Sequence, residues 1–292
     1  MKKKIFLVLL CLFLLTGCDL FKEDNMEDID IITSNYSLEY VISSLYSDYS
    51  EIHSIYPDAT DIDSYKFTTK QNKDNSKKDL FIYMGANSKD LDMAKTYVDL
   101  NNNIKLINAT DGMKYINSID ELWLNPSNLL MISSNIKQSL VGANGYISSR
   151  LLIDSINENY KKLQQDLSKL DYDMLSTVTN ARSKVIFTNS YALKYLEKYG
   201  LTVYVLVEDD QYYNKNMNLL TSAIADNSIK NFFVYENTEV SKELDELLTS
   251  KNINRETFRN LKNITDSERT ESYNYLEISR ENIKSISKEI YK

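Results

Sequence analysis

Leu80-Phe81-Ile82-Tyr83-Met84-Gly85 is an apolar run of five residues closed by a glycine. A run without polar alternation suits a strand covered on both faces, as in a parallel sheet. Met93 to Leu100 then shows helical spacing, and Ile104-Lys105-Leu106-Ile107 supplies the next strand. Strand, helix and strand at this spacing define α/β units.

The pattern extends in both directions. Upstream, Ile29 to Ser34 is a short apolar run leading into Asn35, and Leu38, Val41, Ile42, Leu45 and Tyr49 give Ser37 to Tyr49 helical spacing. Ile52 to Tyr56 alternates like a strand, and a polar stretch from Pro57 to Lys78 follows. Downstream, Leu129 to Leu140 reads as a helix. From Ile147 to about Ala181 there is neither Gly nor Pro, and Ile156, Leu163, Leu167, Leu170, Met174 and Val178 mark one long helix, with Asp171 as its candidate break. Strands are then expected at Val185-Ile186-Phe187, Leu201 to Val207, Phe232 to Tyr235 and, weakly, Ile253 to Phe258. The helices between and after them are Tyr191 to Tyr199, capped by Gly200, then Met217 to Ala225, Ser241 to Leu248 and Tyr275 to Tyr291. The fold expected is α/β: an N-terminal lobe (29–142) and a C-terminal lobe (183–292) joined by a rigid connecting helix (143–182). Each lobe has a parallel sheet flanked by helices, and a ligand would sit in the cleft near the carboxyl ends of the strands.

The first residues concern location. Lys2, Lys3 and Lys4 precede an apolar run of 11 residues, Ile5 to Leu15, and Leu15-Thr16-Gly17-Cys18 closes it. A spanning helix needs about 20 apolar residues, so the segment reads as a leader and not a membrane anchor. The layout is that of a bacterial lipoprotein signal (1–17), cleaved before a Cys18 that carries lipid, with an acidic tether (18–28) between the lipid bilayer and the folded body. Removing residues 1–17 takes three lysines and no acid, so the formal charge moves from −8 to −11. So acidic a body is a poor partner for nucleic acid. Cys11 leaves with the leader and Cys18 is lipidated, which excludes thiolate metal sites and cysteine nucleophiles. His53 is the one histidine, so neither a histidine-dependent triad nor a multi-histidine metal site can be built.

Five further stretches resemble one family in order and spacing. Asp61-Ile-Asp-Ser-Tyr-Lys-Phe-Thr68, followed by Asp79-Leu-Phe-Ile-Tyr-Met-Gly85, is similar to D-P-H-D-Y-E-P-T and D-L-F-I-Y-N-G. Glu121-Leu-Trp-Leu-Asn-Pro126 resembles H-V-W-L-D-P, and Phe187 to Leu201 resembles the segment that carries F-H-D-A-F and ends in Y-G-L. Phe258 to Asp266 resembles L-D-P-L-E-G-L-T-D, and Tyr275 to Ile283 resembles Y-L-S-I-M-R-E-N-L. These motifs belong to the extracytoplasmic metal-binding lipoproteins that feed zinc and manganese ABC importers, the adhesin-like lipoproteins among them. The resemblance implies two lobes joined by a long helix, one divalent metal ion between them as transported ligand, an ABC permease as partner and no catalysis.

The family's ligands are three histidines and a carboxylate, or two of each. By position they fall on Asp63, Glu121, Asn189 (Thr188 if the register slips by one) and Arg259, so the usual zinc ligands are replaced. Asp63, Glu121 and Asn189 offer oxygens that suit harder cations, whereas a guanidinium beside a divalent ion is repulsive. Three readings follow. The Asp63, Glu121 and Arg259 cluster locks the lobes as a clamp; it binds a small zwitterionic or polar ligand; or metal is retained with Arg259 turned away. The function expected is a membrane-anchored substrate-binding lipoprotein of such an importer, with a degenerate cleft that need not hold metal. The alternative is a surface adhesion or accessory lipoprotein on the same scaffold, with the cleft locked. His53, the Glu208-Asp209-Asp210 loop, Asp266 with Glu268, and Trp123 are read as structural: a satisfied histidine, a solvated turn, a helix start and a core residue.

Overall fold

The computed structural model describes residues 26–292; the leader, Cys18 and the tether up to residue 25 lie outside the described residues. The last tether residues pack on the body. Met26 is fully buried, Ser149 donates to Glu27 at 2.5 Å, and the Asp28 amide donates to the Tyr49 carbonyl at 2.9 Å.

Among the described residues eight strands form two parallel sheets. The first has the order β2-β1-β3-β4, from Ser50–Ser54, Ile29–Thr33, Leu80–Tyr83 and Lys105–Asn108. The second repeats it as β6-β5-β7-β8, from Thr202–Val205, Val185–Thr188, Asn231–Tyr235 and Asn254–Phe258. Alternation assigns the faces. Ile31, Leu80 and Ile82 point into a core shared by both lobes, and Ile32 and Phe81 into a separate cluster with Met93, Ala94 and Tyr97. In the second sheet Ile186, Val203, Val205, Phe233 and Tyr235 face the same shared core, while Phe187 and Phe232 meet Leu220, Leu244 and Leu248 on the other side. The lobes are therefore joined by a common core in addition to their own.

The connecting helix, Arg150–Thr179, runs 30 residues without a break, about 45 Å at 1.5 Å per residue. Ser149 caps its start, and its buried stripe is Leu152, Ile156, Leu163, Leu167, Leu170, Met174 and Val178. Asp171 interrupts the apolar pattern without ending the helix. Its carboxylate accepts from Lys198 and Tyr199 at 2.7 Å each, tying the helix to the C-terminal lobe. No helix among the described residues is long and apolar enough to cross a membrane.

Three local departures from expectation have physical reasons. β2 lies two residues earlier than the apolar alternation placed it, because its register is set by pairing with β1. The polar stretch after it contains a helix, Thr69–Asn75, nucleated by a Thr68–Gln71 capping box. Tyr191–Tyr199 is a 3₁₀ helix, whose three-residue turn stacks buried Leu193, Leu196 and Tyr199 in one row. It ends at Gly200, whose φ of +97° favours glycine.

Candidate functional site

The segments that leave the carboxyl ends of the strands meet between the lobes. After β2, the Asp63 amide bonds back to the Asp61 side chain at 3.1 Å, turning the loop so that the Asp63 carboxylate faces the C-terminal lobe. There it meets Lys262, from the segment after β8, with Nζ 2.6 Å from Oδ2. The same ammonium lies 3.6 Å from Asp120, which precedes the short helix Glu121–Leu124. Asp120 also accepts from the Tyr235 hydroxyl at 2.5 Å. A cavity of about 70 Å³ adjoins this cluster, lined by Ser34, Met84, Asp90, Asp120, Trp123 and Lys262 among others.

Burial governs the charges here. It pushes the Asp120 carboxyl up despite Lys262 and Tyr235, and it pushes Asp90 up to about 6 despite hydrogen bonds from the Ser34 hydroxyl and the Met84 amide. The Tyr235 hydroxyl is driven well above its ordinary value by burial and by Asp120. Burial alone would lower Lys262, but Asp120 and Asp63 outweigh it and the ammonium is held charged.

The other positions singled out in the sequence are engaged elsewhere. The Glu121 carboxylate turns back on its own lobe and accepts the amides of Ile116, Asn117 and Ser118 at 3.2, 2.9 and 3.3 Å. Asn189 is a bracket inside the C-terminal lobe. Its oxygen accepts from the Tyr235 amide at 2.8 Å, and its amide nitrogen donates to Thr238 at 2.8 Å and to the Glu239 carbonyl at 3.1 Å. Thr188 is fully buried and accepts from the Ser190 amide. Arg259 pairs with Glu236 at 2.5 Å and with Glu268, both on its own lobe. The clamp expected from Asp63, Glu121 and Arg259 is therefore corrected: the cation that reaches Asp63 is Lys262, three residues after Arg259, and the second carboxylate is Asp120, one residue before Glu121. Among the described residues no group of three or more His, Cys, Asp or Glu side chains is arranged to hold a metal ion.

Beside this cluster the segment after β8 is stapled to the N-terminal lobe. The Lys262 carbonyl accepts the Tyr36 amide at 2.8 Å, Leu261 accepts from Ser37 at 2.7 Å, and Asn260 accepts the Trp123 indole at 2.8 Å. Asn263 donates to the carbonyls of Pro57 and Thr60, and Arg269 pairs with Glu39 and Asp58.

A family match covers most of the chain. Residues 31–289 match the ZnuA family, described as the periplasmic component A of the zinc-uptake complex. The chain belongs to this family. Its fold agrees. The zinc-bound ZnuA-like domain of AdcA from Streptococcus pneumoniae superposes with a TM-score of 0.71 at 18% identity, covering 91% of this chain and 100% of that one. The metal-dependent lipoprotein YcdH from Bacillus subtilis gives 0.73 at 17%, with the same coverage. The laminin-binding protein Lbp of Streptococcus pyogenes gives 0.69 at 17%, covering 90% and 99%. No curated protein sequence matches the chain. At these identities the structural likeness speaks for the two-lobed ZnuA-like fold.

Within that fold, Asp120, Tyr235 and Lys262 are the cleft residues that sequence reasoning missed. Lys262 sits inside the quoted Phe258–Asp266 stretch and Asp120 adjoins Glu121, but only tertiary pairing gives either a role. The remaining candidates are structural. His53 lies on edge strand β2 beside Glu51 at 3.0 Å, and Asp210 accepts from the Tyr191 hydroxyl. Thr265 and Glu268 form a capping box at a helix start, and Trp123 is core.

Proposed function

We propose that this protein is a membrane-anchored, extracytoplasmic substrate-binding lipoprotein of a zinc/manganese-type ABC importer, whose cleft is degenerate and offers zinc no site at the family's four positions. Family membership supports the binding-protein class and an ABC permease as partner. The leader ending in Leu15-Thr16-Gly17-Cys18 supports lipid anchoring outside the cytoplasm. One observation carries the degenerate cleft: Asp63, Glu121, Asn189 and Arg259 are each committed to a protein partner, and they diverge instead of pointing at a common centre. Zinc needs about four nitrogen, sulfur or oxygen donors converging at about 2.0–2.3 Å. No chemistry is assigned to the cleft, and the protein's role is to present its two lobes to the permease.

Isothermal titration of the full-length lipoprotein in detergent with Zn²⁺, Mn²⁺ and Ca²⁺ tests the cleft. No tight 1:1 zinc binding is expected. Tight 1:1 binding lost on Asp63→Ala and Glu121→Ala would overturn it. Anchoring is read in parallel: Cys18→Ala should release the protein from the membrane fraction, and retention of that variant would remove the lipoprotein assignment.

A further inference from the structure

We propose that Lys262 is the cleft's own cation: its ammonium stands between the lobes where a bound ion could stand, and closes Asp63 of one lobe onto the other without cargo. The inference rests on the degenerate cleft of the proposed function and names the group that takes over.

The geometry is that of a counter-ion, not of a surface lysine. Only 13% of the side chain is exposed. Nζ lies 2.6 Å from Asp63 and 3.6 Å from Asp120, and it stands 5.9 Å from the centroid of the Trp123 ring. An ammonium is a compact point charge on a flexible stem, so it can serve two carboxylates from different directions. Asp63, Asp90 and Asp120 all line the adjoining cavity, and Lys262 is its sole cationic lining residue. The pair with Asp120 is buried on both sides, so removing the ammonium leaves that carboxylate uncompensated, whereas the pair with Asp63 is partly screened by solvent and contributes less.

The backbone fixes where the ammonium can go. The Lys262 amide bonds to the Asn260 side chain at 2.8 Å and its carbonyl to the Tyr36 amide at 2.8 Å. Leu261, immediately before it, has a φ of +58°, an uncommon value for a branched residue that turns the chain sharply at this point. Both lobes thus hold the main chain, and the side chain reaches back along the cleft to Asp63. Asp63 itself is 65% exposed on its side chain and has no other cation within salt-bridge distance among the described residues, so its carboxylate depends on Lys262 for a counter-charge. The backbone of the loop is held by Lys89 at the Ile62 and Tyr65 carbonyls and by Asn263 at those of Pro57 and Thr60.

Hydrogen exchange of the amides in residues 57–65 of the full-length protein tests the assignment, comparing wild type with Lys262→Met in the absence and presence of Mn²⁺. The methionine keeps the volume and removes the charge. Exchange at and beside Asp63 should accelerate about two- to fivefold in Lys262→Met, and millimolar Mn²⁺ should restore most of it by supplying the missing positive charge. Lys262→Arg, which keeps a cation, should accelerate it less. Unchanged exchange in Lys262→Met, or acceleration that Mn²⁺ does not reverse, overturns the proposal. Should Lys262→Met not fold, Asp63→Asn breaks the closer contact from its solvent side. It must accelerate the same amides, and an unaltered loop would equally overturn the role. The two failures are distinct: tight zinc binding lost on Asp63→Ala and Glu121→Ala defeats the proposed function, whereas unchanged exchange in Lys262→Met defeats only the lysine's role.

Discussion

The Tyr235 hydroxyl, at the end of β7, donates to the Asp120 carboxylate of the opposite lobe at 2.5 Å, and both side chains are buried. A hydrogen bond to a charged acceptor in such a place is worth more than an average one, because the acceptor has no water to fall back on. Tyr235→Phe should therefore destabilise the protein by about 1–3 kcal/mol, read as a lower urea midpoint with an unchanged slope. Asp120→Asn combined with Tyr235→Phe should cost less than the sum of the two single changes. Strict additivity would show that the two groups are not coupled.

Arg269 offers a second contact across the lobes. It pairs with Asp58 at 2.5 Å and with Glu39 at 2.6 Å, and Glu39 is only 6% exposed. Arg269 itself is 44% exposed, so solvent screens part of the interaction. Arg269→Ala should still cost about 1–3 kcal/mol, since it leaves the buried Glu39 carboxylate with the Ser54 amide but no counter-charge. The control is Arg150→Ala, whose pair with Asp154 is exposed on both sides and should contribute less than about 1 kcal/mol. Equal midpoints for the two variants in thermal or urea melts would refute the distinction.

The contrast between these pairs shows what could be read from the chain. Leu80 to Met84 and Phe232 to Tyr235 announce buried parallel strands because both faces of each are covered, and that needs only local apolarity. The long helix is legible from the three- and four-residue spacing of its single buried stripe, down to Leu163, Leu167 and Leu170. Thr69–Asn75 was not legible, because it buries no residue and its stability comes from capping. At the site, positional resemblance could point to Asp63 and Glu121 as cleft positions, but it could not say which way a side chain turns. Glu121 turns to three amides of its own loop, and Lys262 reaches a loop 199 residues earlier in the chain. Such pairings are decided by tertiary distance and desolvation, which no local pattern encodes.

Glu121 makes the next prediction. Its carboxylate holds the amides of Ile116, Asn117 and Ser118, and Ile116 itself is 91% exposed. Glu121→Ala leaves those amides without their acceptor, so the loop should loosen at a cost of about 1–3 kcal/mol. Trypsin should then cut faster after Lys114, just before the loop tip. A cleavage rate equal to wild type would mean that the carboxylate does not hold the loop.

Asp90 gives the protein a pH dependence with a definite sign. Burial raises its carboxyl from 3.8 to about 6 in the folded state, so between those values the native state holds a proton that the unfolded chain has released. Stability contributed by this group is full below about pH 4, falls as pH rises towards 6, and stays level above. At 1.36 kcal/mol per pH unit, the whole effect is about 3 kcal/mol. Other carboxyls act in the opposite sense, since Asp171 and Glu268 are held below their ordinary range: burial raises both, but bonds from Lys198 and Tyr199 in one case and from Arg259 and Thr265 in the other outweigh it. The group is therefore isolated by difference. Asp90→Asn can still accept from the Met84 amide and meet the Ser34 hydroxyl, but it cannot ionise. The stability of Asp90→Asn relative to wild type, from urea melts at half-unit steps, should rise between pH 4 and 6.5 and then level off. A difference that is flat across that range, or that falls, would show that Asp90 is ionised in the folded protein at no cost.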